Sequence, residues 1–133
     1  MADDILTDDF GTTAKTDTTS YYGAVGMRGK RKIVASLEIT AVAGSGTPTM
    51  TALVEHTNVD ASLQTTAAYW KTLFAFTAVS SATTLPFYEI KTVEDDGSKK
   101  DVGRYIRVKY LLGGNGPSFT GRTRIGFDKA ITE

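Results

Sequence analysis

The single histidine is the first residue to examine for chemistry, since imidazole is the usual acid–base group near neutral pH. His56 follows Glu55 in an alternating segment, and neither a G-x-S-x-G nor an H-E-x-x-H motif contains it. A catalytic role would need a serine or a carboxylate to reach His56 from a distant part of the chain. We therefore expect His56 to be a surface or partly buried residue, and we expect no catalytic residues.

Two further segments resemble ligand-binding loops but lack the residues that such loops need. The acidic run 94–96 precedes Gly97, yet its spacing departs from the calcium loop D-x-[DN]-x-[DN]-G, and lysines follow at 99–100. The glycine-rich run 113–116 has no Lys-Ser/Thr pair after it, so it lacks the side chains that grip a phosphate. With no cysteine there is no zinc–thiolate site. We expect no metal and no cofactor.

Composition favours a binding or structural protein. The 133 residues suit one domain, and a hydrophobic content of 41% supports a packed core. Lys and Arg number 15, as do Asp and Glu, and a neutral chain gains little affinity for nucleic acid. The acidic N-terminus does not resemble a signal peptide, and no apolar run approaches the roughly 20 residues of a spanning helix. We expect a soluble protein that binds neither nucleic acid nor membrane.

The first part of the main segment predicts strands. Apolar residues alternate over 33–41 and again over 49–56, which predicts two strands joined as a hairpin by the Gly/Pro-rich turn 43–48. Residues 69–77 carry apolar side chains on both faces, which favours a covered strand over the alternative of a helix. Pro86 places the strand 85–93 at a sheet edge.

The clearest alternation comes last. Residues 104–112 and 119–127 flank the turn 113–117 and predict a second hairpin, with Arg107, Lys109, Arg122 and Arg124 on its outer face. Short strands with frequent turns predict an all-β protein, an antiparallel β-sandwich or jelly roll over residues 33–133. The basic outer face is expected to bind an acidic protein surface.

Residues 1–32 differ from the rest of the chain. Aspartates make their first half acidic, and a basic cluster then follows at Arg28, Lys30, Arg31 and Lys32. Such a segment is either a loosely held tail or an extended N-terminal arm that orders on a partner. The hydrophobic side chains of Ile5, Leu6 and Phe10 favour the arm, because a purely solvated tail has no need of them.

The segment 102–120, VGRYIRVKYLLGGNGPSFT, carries a family resemblance. It resembles the RYxRxxY…GG…P/S…T ending of phage capsid cement proteins, the small Thr-rich proteins that decorate tailed-phage heads, and the run 33–54 also looks like that family. The resemblance implies a non-enzymatic virion protein on the capsid surface, often a homotrimer, which bridges subunits of the major capsid protein. The residues expected to contact capsid or sister subunits are Ile5, Leu6, Phe10, Arg28, Lys30, Arg31, Lys32, Trp70, Arg107, Arg122 and Arg124.

Two other functions remain open at this point. The chain could be a carbohydrate-binding or host-attachment module of a phage tail or head fibre, in which Trp70 or Tyr105 stacks on a sugar ring. An enzyme that uses His56 is the third hypothesis.

Overall fold

A computed structural model describes residues 2–11, 16, 19–26, 32–59, 61–63, 66–94 and 105–128. The described chain is mostly antiparallel β-sheet with almost no helix, in agreement with the all-β prediction. Its strands are β1 (Ala2–Asp9), β2 (Thr19–Gly26), β3 (Lys32–Thr57), β4 (Lys71–Ala75), β5 (Val79–Ser80), β6 (Phe87–Glu94) and β7 (Tyr105–Asp128). Two short 3₁₀ helices, Ala61–Leu63 and Ala67–Tyr69, lie between β3 and β4.

The longest strands, β3 and β7, pair with each other along almost their whole length, from Ile33 opposite Phe127 to Thr57 opposite Tyr105. The two predicted hairpins are therefore wrong. Residues 33–41 and 49–56 belong to one bent strand and both pair with β7, and the same holds for the two parts of β7. The glycine-rich segments bend the strands without reversing them, because irregularities between Ala43 and Thr49 let the ladder continue past the bend.

The two bends pack against each other. Gly44 has φ +123° and Gly114 has φ +101°, conformations that residues with a Cβ rarely adopt. A Cβ on Gly44 would lie 2.8 Å from the carbonyl oxygen of Gly116, and one on Gly114 would lie 2.8 Å from the Cα of Pro48. The backbones thus approach too closely for any side chain between them, and glycine is required for the corner.

The bends divide the sheet into two half-sheets, and each half-sheet has four neighbouring strand positions. In the first half-sheet the order is β1, residues 118–128 of β7, residues 32–43 of β3, and β6. In the second half-sheet the order is β2, residues 105–113 of β7, residues 49–57 of β3, and then β4 and β5 along the same edge. The strand predicted over 85–93 is observed as β6 over Phe87–Glu94, directly after Pro86, and among the described strands it pairs with β3 alone.

Both half-sheets contribute to one hydrophobic core. The alternating residues of β3 and β7 that were predicted to face inward, such as Leu37, Val54 and Val108, are fully buried. Tyr110 of the second half-sheet contacts Phe10 edge to face, with ring centroids 5.6 Å apart. Its hydroxyl also donates to Oγ1 of Thr123 in the first half-sheet at 2.7 Å. These contacts fix one half-sheet against the other across the core.

A second tie lies at the opposite edge. The carboxylate of Glu89 on β6 accepts hydrogen bonds from the backbone N–H of Thr77 at 2.7 Å and from its hydroxyl at 2.8 Å. Thr77 belongs to the connection between β4 and β5, so one side chain links the edges of both half-sheets.

Much of the segment predicted as an arm lies in the sheet. β1 pairs with β7 from Ala2 to Asp9, and Phe10 continues this pairing through hydrogen bonds with Gly121. β2 pairs with the other part of β7. Because Leu6 and Phe10 alternate with exposed polar residues and reach the core, the segment forms edge strands of its own chain. This differs from the expectation of an arm that orders only on a partner.

Candidate functional site

The outer face of the first half-sheet gathers two of the predicted partner-binding arginines. Arg122 lies opposite Asp9 on one side and opposite Glu38 on the other, and Glu38 in turn lies opposite Tyr88. The next row is formed in the same way by Thr7, Arg124, Ser36 and Ile90. Directly opposite residues share a face. We call these eight residues the outer face; with strands about 4.8 Å apart, it spans roughly 14 Å from β1 to β6.

Arg122 stands at the centre of the charged row. Its Nη2 lies 3.9 Å from Oδ2 of Asp9, and its Nε lies 3.8 Å from Oε1 of Glu38. Both contacts are long and all three side chains are about half exposed, so each pair contributes little to stability. The guanidinium can therefore turn from these carboxylates to a partner at small cost. Arg124 is exposed in the neighbouring row, as its predicted outward position requires.

The apolar part of the outer face lies on the edge strand. Tyr88 is 60% exposed and Ile90 is 54% exposed, and they are separated by one residue on β6. The sequence offered a weak signal for them, because this strand places charged residues, Glu89 and Lys91, on its inward face. Alternation alone would have assigned the charged residues to solvent. Because they are neighbours on one face, Tyr88 and Ile90 form a contiguous apolar patch, a feature typical of contact surfaces.

Arg107 is predicted to be exposed, and that prediction is wrong. It does lie on the face opposite Ile106 and Val108, but it is only 6% exposed. Its Nε donates to Oε1 of Glu55 at 2.9 Å, and its Nη2 lies 2.8 Å from the same oxygen. Trp70 covers the pair, with the Arg107 guanidinium carbon 4.1 Å from the ring centroid. Arg107 therefore stabilises the fold. Lys109, predicted on the same basic face, lies beside Arg107 in the second half-sheet, so only Arg122 and Arg124 share the outer face.

The burial of Trp70 also bears on carbohydrate binding. Trp70 is 5% exposed and holds the Arg107 guanidinium against its ring, so it does not offer a free face for a sugar. The chain before it is fixed to the sheet, since the hydroxyl of Thr57 donates to the carbonyl oxygen of Tyr69 at 2.7 Å. This loop leaves Leu63 and Tyr69 exposed.

The predicted N-terminal anchors are divided between the core and the undescribed part of the chain. Leu6 is buried and Phe10 is 1% exposed, so neither is available to a partner while β1 remains paired. The backbones of Ile5 and Lys32 lie in β1 and β3, but their side chains lie outside the described part. Arg28, Lys30 and Arg31 lie outside the described residues altogether.

Of the remaining sequence motifs, the acidic run 94–96 lies mostly outside the described residues. Over the described ranges, no three His, Cys, Asp or Glu side chains converge as metal ligands would. His56 is half-buried near the end of β3, opposite Ile106. In the same part of the chain, no helix is long and apolar enough to cross a membrane. No family model matches the chain, and no curated protein matches it significantly.

Proposed function

We propose that this chain is a non-enzymatic capsid decoration protein, which binds the outside of a tailed-phage head and stabilises contacts between subunits of the major capsid protein. The exposed outer face, with Tyr88, Ile90, Arg122 and Arg124 on rigid strands, is the observation that carries the proposal. A decoration protein needs such a surface and no reacting groups. A copy that contacts two capsid subunits at once combines two modest contacts into one stable attachment.

The fold supports the same proposal. The bends cut β3 and β7 into two segments each, which gives eight segments in chain order: β1, β2, 32–43, 49–57, β4 with β5, β6, 105–113 and 118–128. Numbered in that order, the half-sheets read 1-8-3-6 and 2-7-4-5. We infer from this order, and from the shared core, an eight-stranded jelly-roll sandwich, a fold that recurs in viral capsid proteins.

Residues of the segment 102–120, which carries the family resemblance, have structural roles in the fold. Arg107 forms the buried pair with Glu55, Tyr110 fills the core, and Gly114 permits the corner. The resemblance therefore supports a shared architecture, and we assign the partner contact to the outer face, whose residues lie outside the segment 102–120. Virion location and the homotrimer remain predictions that the resemblance implies.

Reconstitution on particles tests the function. Heads of the phage that encodes the chain are prepared with its gene deleted, the purified chain is added, and co-sedimentation and the temperature of particle rupture are measured. We expect saturable binding and a higher rupture temperature. Absence of binding both to expanded and to unexpanded heads would contradict the proposal. Specific binding to a glycan array that Tyr69→Ala or Tyr88→Ala abolishes would favour the host-attachment alternative.

A charge reversal locates the contact. Arg122→Glu is expected to weaken particle binding about tenfold, because it replaces the positive charge at the centre of the outer face by a negative one. Lys71→Glu is the matched control, since Lys71 is exposed on β4 of the other half-sheet. Equal loss in both variants would assign the effect to net charge instead of to the outer face.

A further inference from the structure

Among the described strands, none pairs with the outer edge of β6. This strand runs for eight residues and pairs with β3 alone among the strands that the structure describes. Tyr88 and Ile90 are more exposed than the other large apolar side chains of the described chain, and Thr92 continues the same exposed row. An edge with unpaired backbone groups and exposed apolar side chains can extend its sheet by pairing with a further strand.

The side chains of β6 are complementary to those of a second copy of β6 that runs antiparallel to it. When β6 pairs antiparallel with a copy of itself and Ile90 lies opposite Ile90, Tyr88 lies opposite Thr92. In the same register Glu89 lies opposite Lys91, twice, by symmetry. Each pair shares a face, so the exposed row remains on one side and the opposite charges meet on the other.

The neighbouring registers are unfavourable. A shift by one residue places the exposed row of one copy beside the inward-facing row of the other, because side chains alternate with period two. A shift by two residues places Glu89 opposite Glu89 in one direction, or Lys91 opposite Lys91 in the other. Like charges directly opposite each other destabilise a strand pair. Charge thus selects the register centred on Ile90.

We propose that the chain forms a two-fold dimer through antiparallel pairing of β6 with β6 of a second copy, in the register centred on Ile90. The first half-sheet of one copy and the first half-sheet of the other then form one sheet of eight strand positions, and their outer faces become continuous. Inward-facing charges usually prevent pairing between edges, and here they admit a partner that presents the opposite charge at each position. The contact closes at two copies, so a trimer would use a different surface.

Charge reversal on one strand tests the dimer without any capsid. Lys91→Glu places two carboxylates opposite each other at both symmetric positions, and Glu89→Lys places two ammonium groups opposite each other there. We expect each variant to raise the dimer dissociation constant by about tenfold or more. Sedimentation equilibrium of the full chain, up to about 1 mM, measures the constant over a range where weak contacts are populated.

Mixing the two variants gives the decisive result. In a mixed dimer the Glu89→Lys copy carries two lysines and the Lys91→Glu copy carries two glutamates, so every charged pair is again opposite in sign. We expect the mixture to dimerise about tenfold or more tightly than either variant alone. Recovery on mixing also shows that Glu89→Lys remains folded after it loses its bonds to Thr77.

The control and the contrary outcomes are defined in advance. Lys71→Glu carries the same charge change away from β6 and should dimerise as the wild type does. A wild type that is monomeric throughout overturns the proposal, as does a trimer that neither β6 variant alters. Dimers of Lys91→Glu as stable as the wild-type dimer overturn it too. Particle binding by a monomeric wild type would leave the decoration function standing while removing the dimer.

Discussion

The guanidinium carbon of Arg107 lies 4.1 Å from the centroid of the Trp70 ring. Trp70 thereby covers the ion pair of Arg107 and Glu55 on the side of the second half-sheet that faces away from the core. Arg107 and Glu55 are directly opposite each other on β7 and β3. Their charges are removed from water by a side chain that precedes β4. The loop between β3 and β4 is thereby fixed to the sheet.

Removing Arg107 should destabilise the protein strongly. Arg107→Ala leaves the Glu55 carboxylate buried without its partner, and we expect a loss of about 3–5 kcal/mol in the free energy of unfolding. Trp70 is the sole tryptophan, so its fluorescence reports on this site. We expect the emission to shift to longer wavelength as water reaches the ring, and urea unfolding to give the stability change.

The double replacement Arg107→Met/Glu55→Met is the control for that measurement. It removes both charges and keeps apolar volume under Trp70, so it should recover most of the stability that Arg107→Ala loses. A double variant as unstable as the single one would mean that packing, and not the stranded charge, explains the loss.

In β3 and β7, sequence alternation correctly predicts which residues face the core, whereas in β6 it would assign the inward-facing Glu89 and Lys91 to solvent. Leu37 and Val108 are buried on the predicted faces because strand period alone decides which side a residue occupies. Alternation does not predict what covers the opposite side. Alternation predicts that Arg107 is exposed, but Trp70 covers it, and this contact depends on how a separate loop folds back.

The pairing of strands was also beyond local sequence. A run such as 43–48 permits either a chain reversal or a bend, and the choice depends on the strand that lies alongside. Here β7 pairs with both sides of the run and carries a matching glycine-rich bend of its own. The sequence predicts that Leu6 and Phe10 are apolar anchors, but they pack in the core of the same chain.

The corner between the half-sheets provides a graded test of the bend. Gly114→Ala combines a positive φ with a Cβ 2.8 Å from the Cα of Pro48, and the backbone there cannot move aside easily. Gly116 also has a positive φ, +56°, but a Cβ on it would have no heavy atom within 4 Å. We expect Gly116→Ala to cost about 1 kcal/mol and Gly114→Ala clearly more, in chemical denaturation. Equal costs would argue that the backbones do not meet as described.

The link between Glu89 and Thr77 should hold the edges of the half-sheets together. Thr77→Val removes the hydroxyl that donates to Oε2 of Glu89 and keeps the backbone bond, so we expect a loss of about 1 kcal/mol. Thr72→Val is the matched control, because Thr72 is also exposed on this edge. A change of less than about 0.5 kcal/mol is expected for the control. If the two variants unfold at the same urea concentration, the hydroxyl bond does not contribute.

Replacing Phe10 tests whether the N-terminal segment belongs to the fold. Phe10 is fully buried against Tyr110, so Phe10→Ala creates a cavity and should cost about 3–5 kcal/mol of unfolding free energy. Thr7→Ala, on the exposed side of β1, should change stability by less than about 0.5 kcal/mol. An arm that orders only on a partner would give the opposite pattern, in which Phe10→Ala leaves the urea midpoint of the free chain unchanged and weakens particle binding alone. Unfolding curves of the two variants, measured without particles, therefore distinguish an integral strand from a detachable anchor.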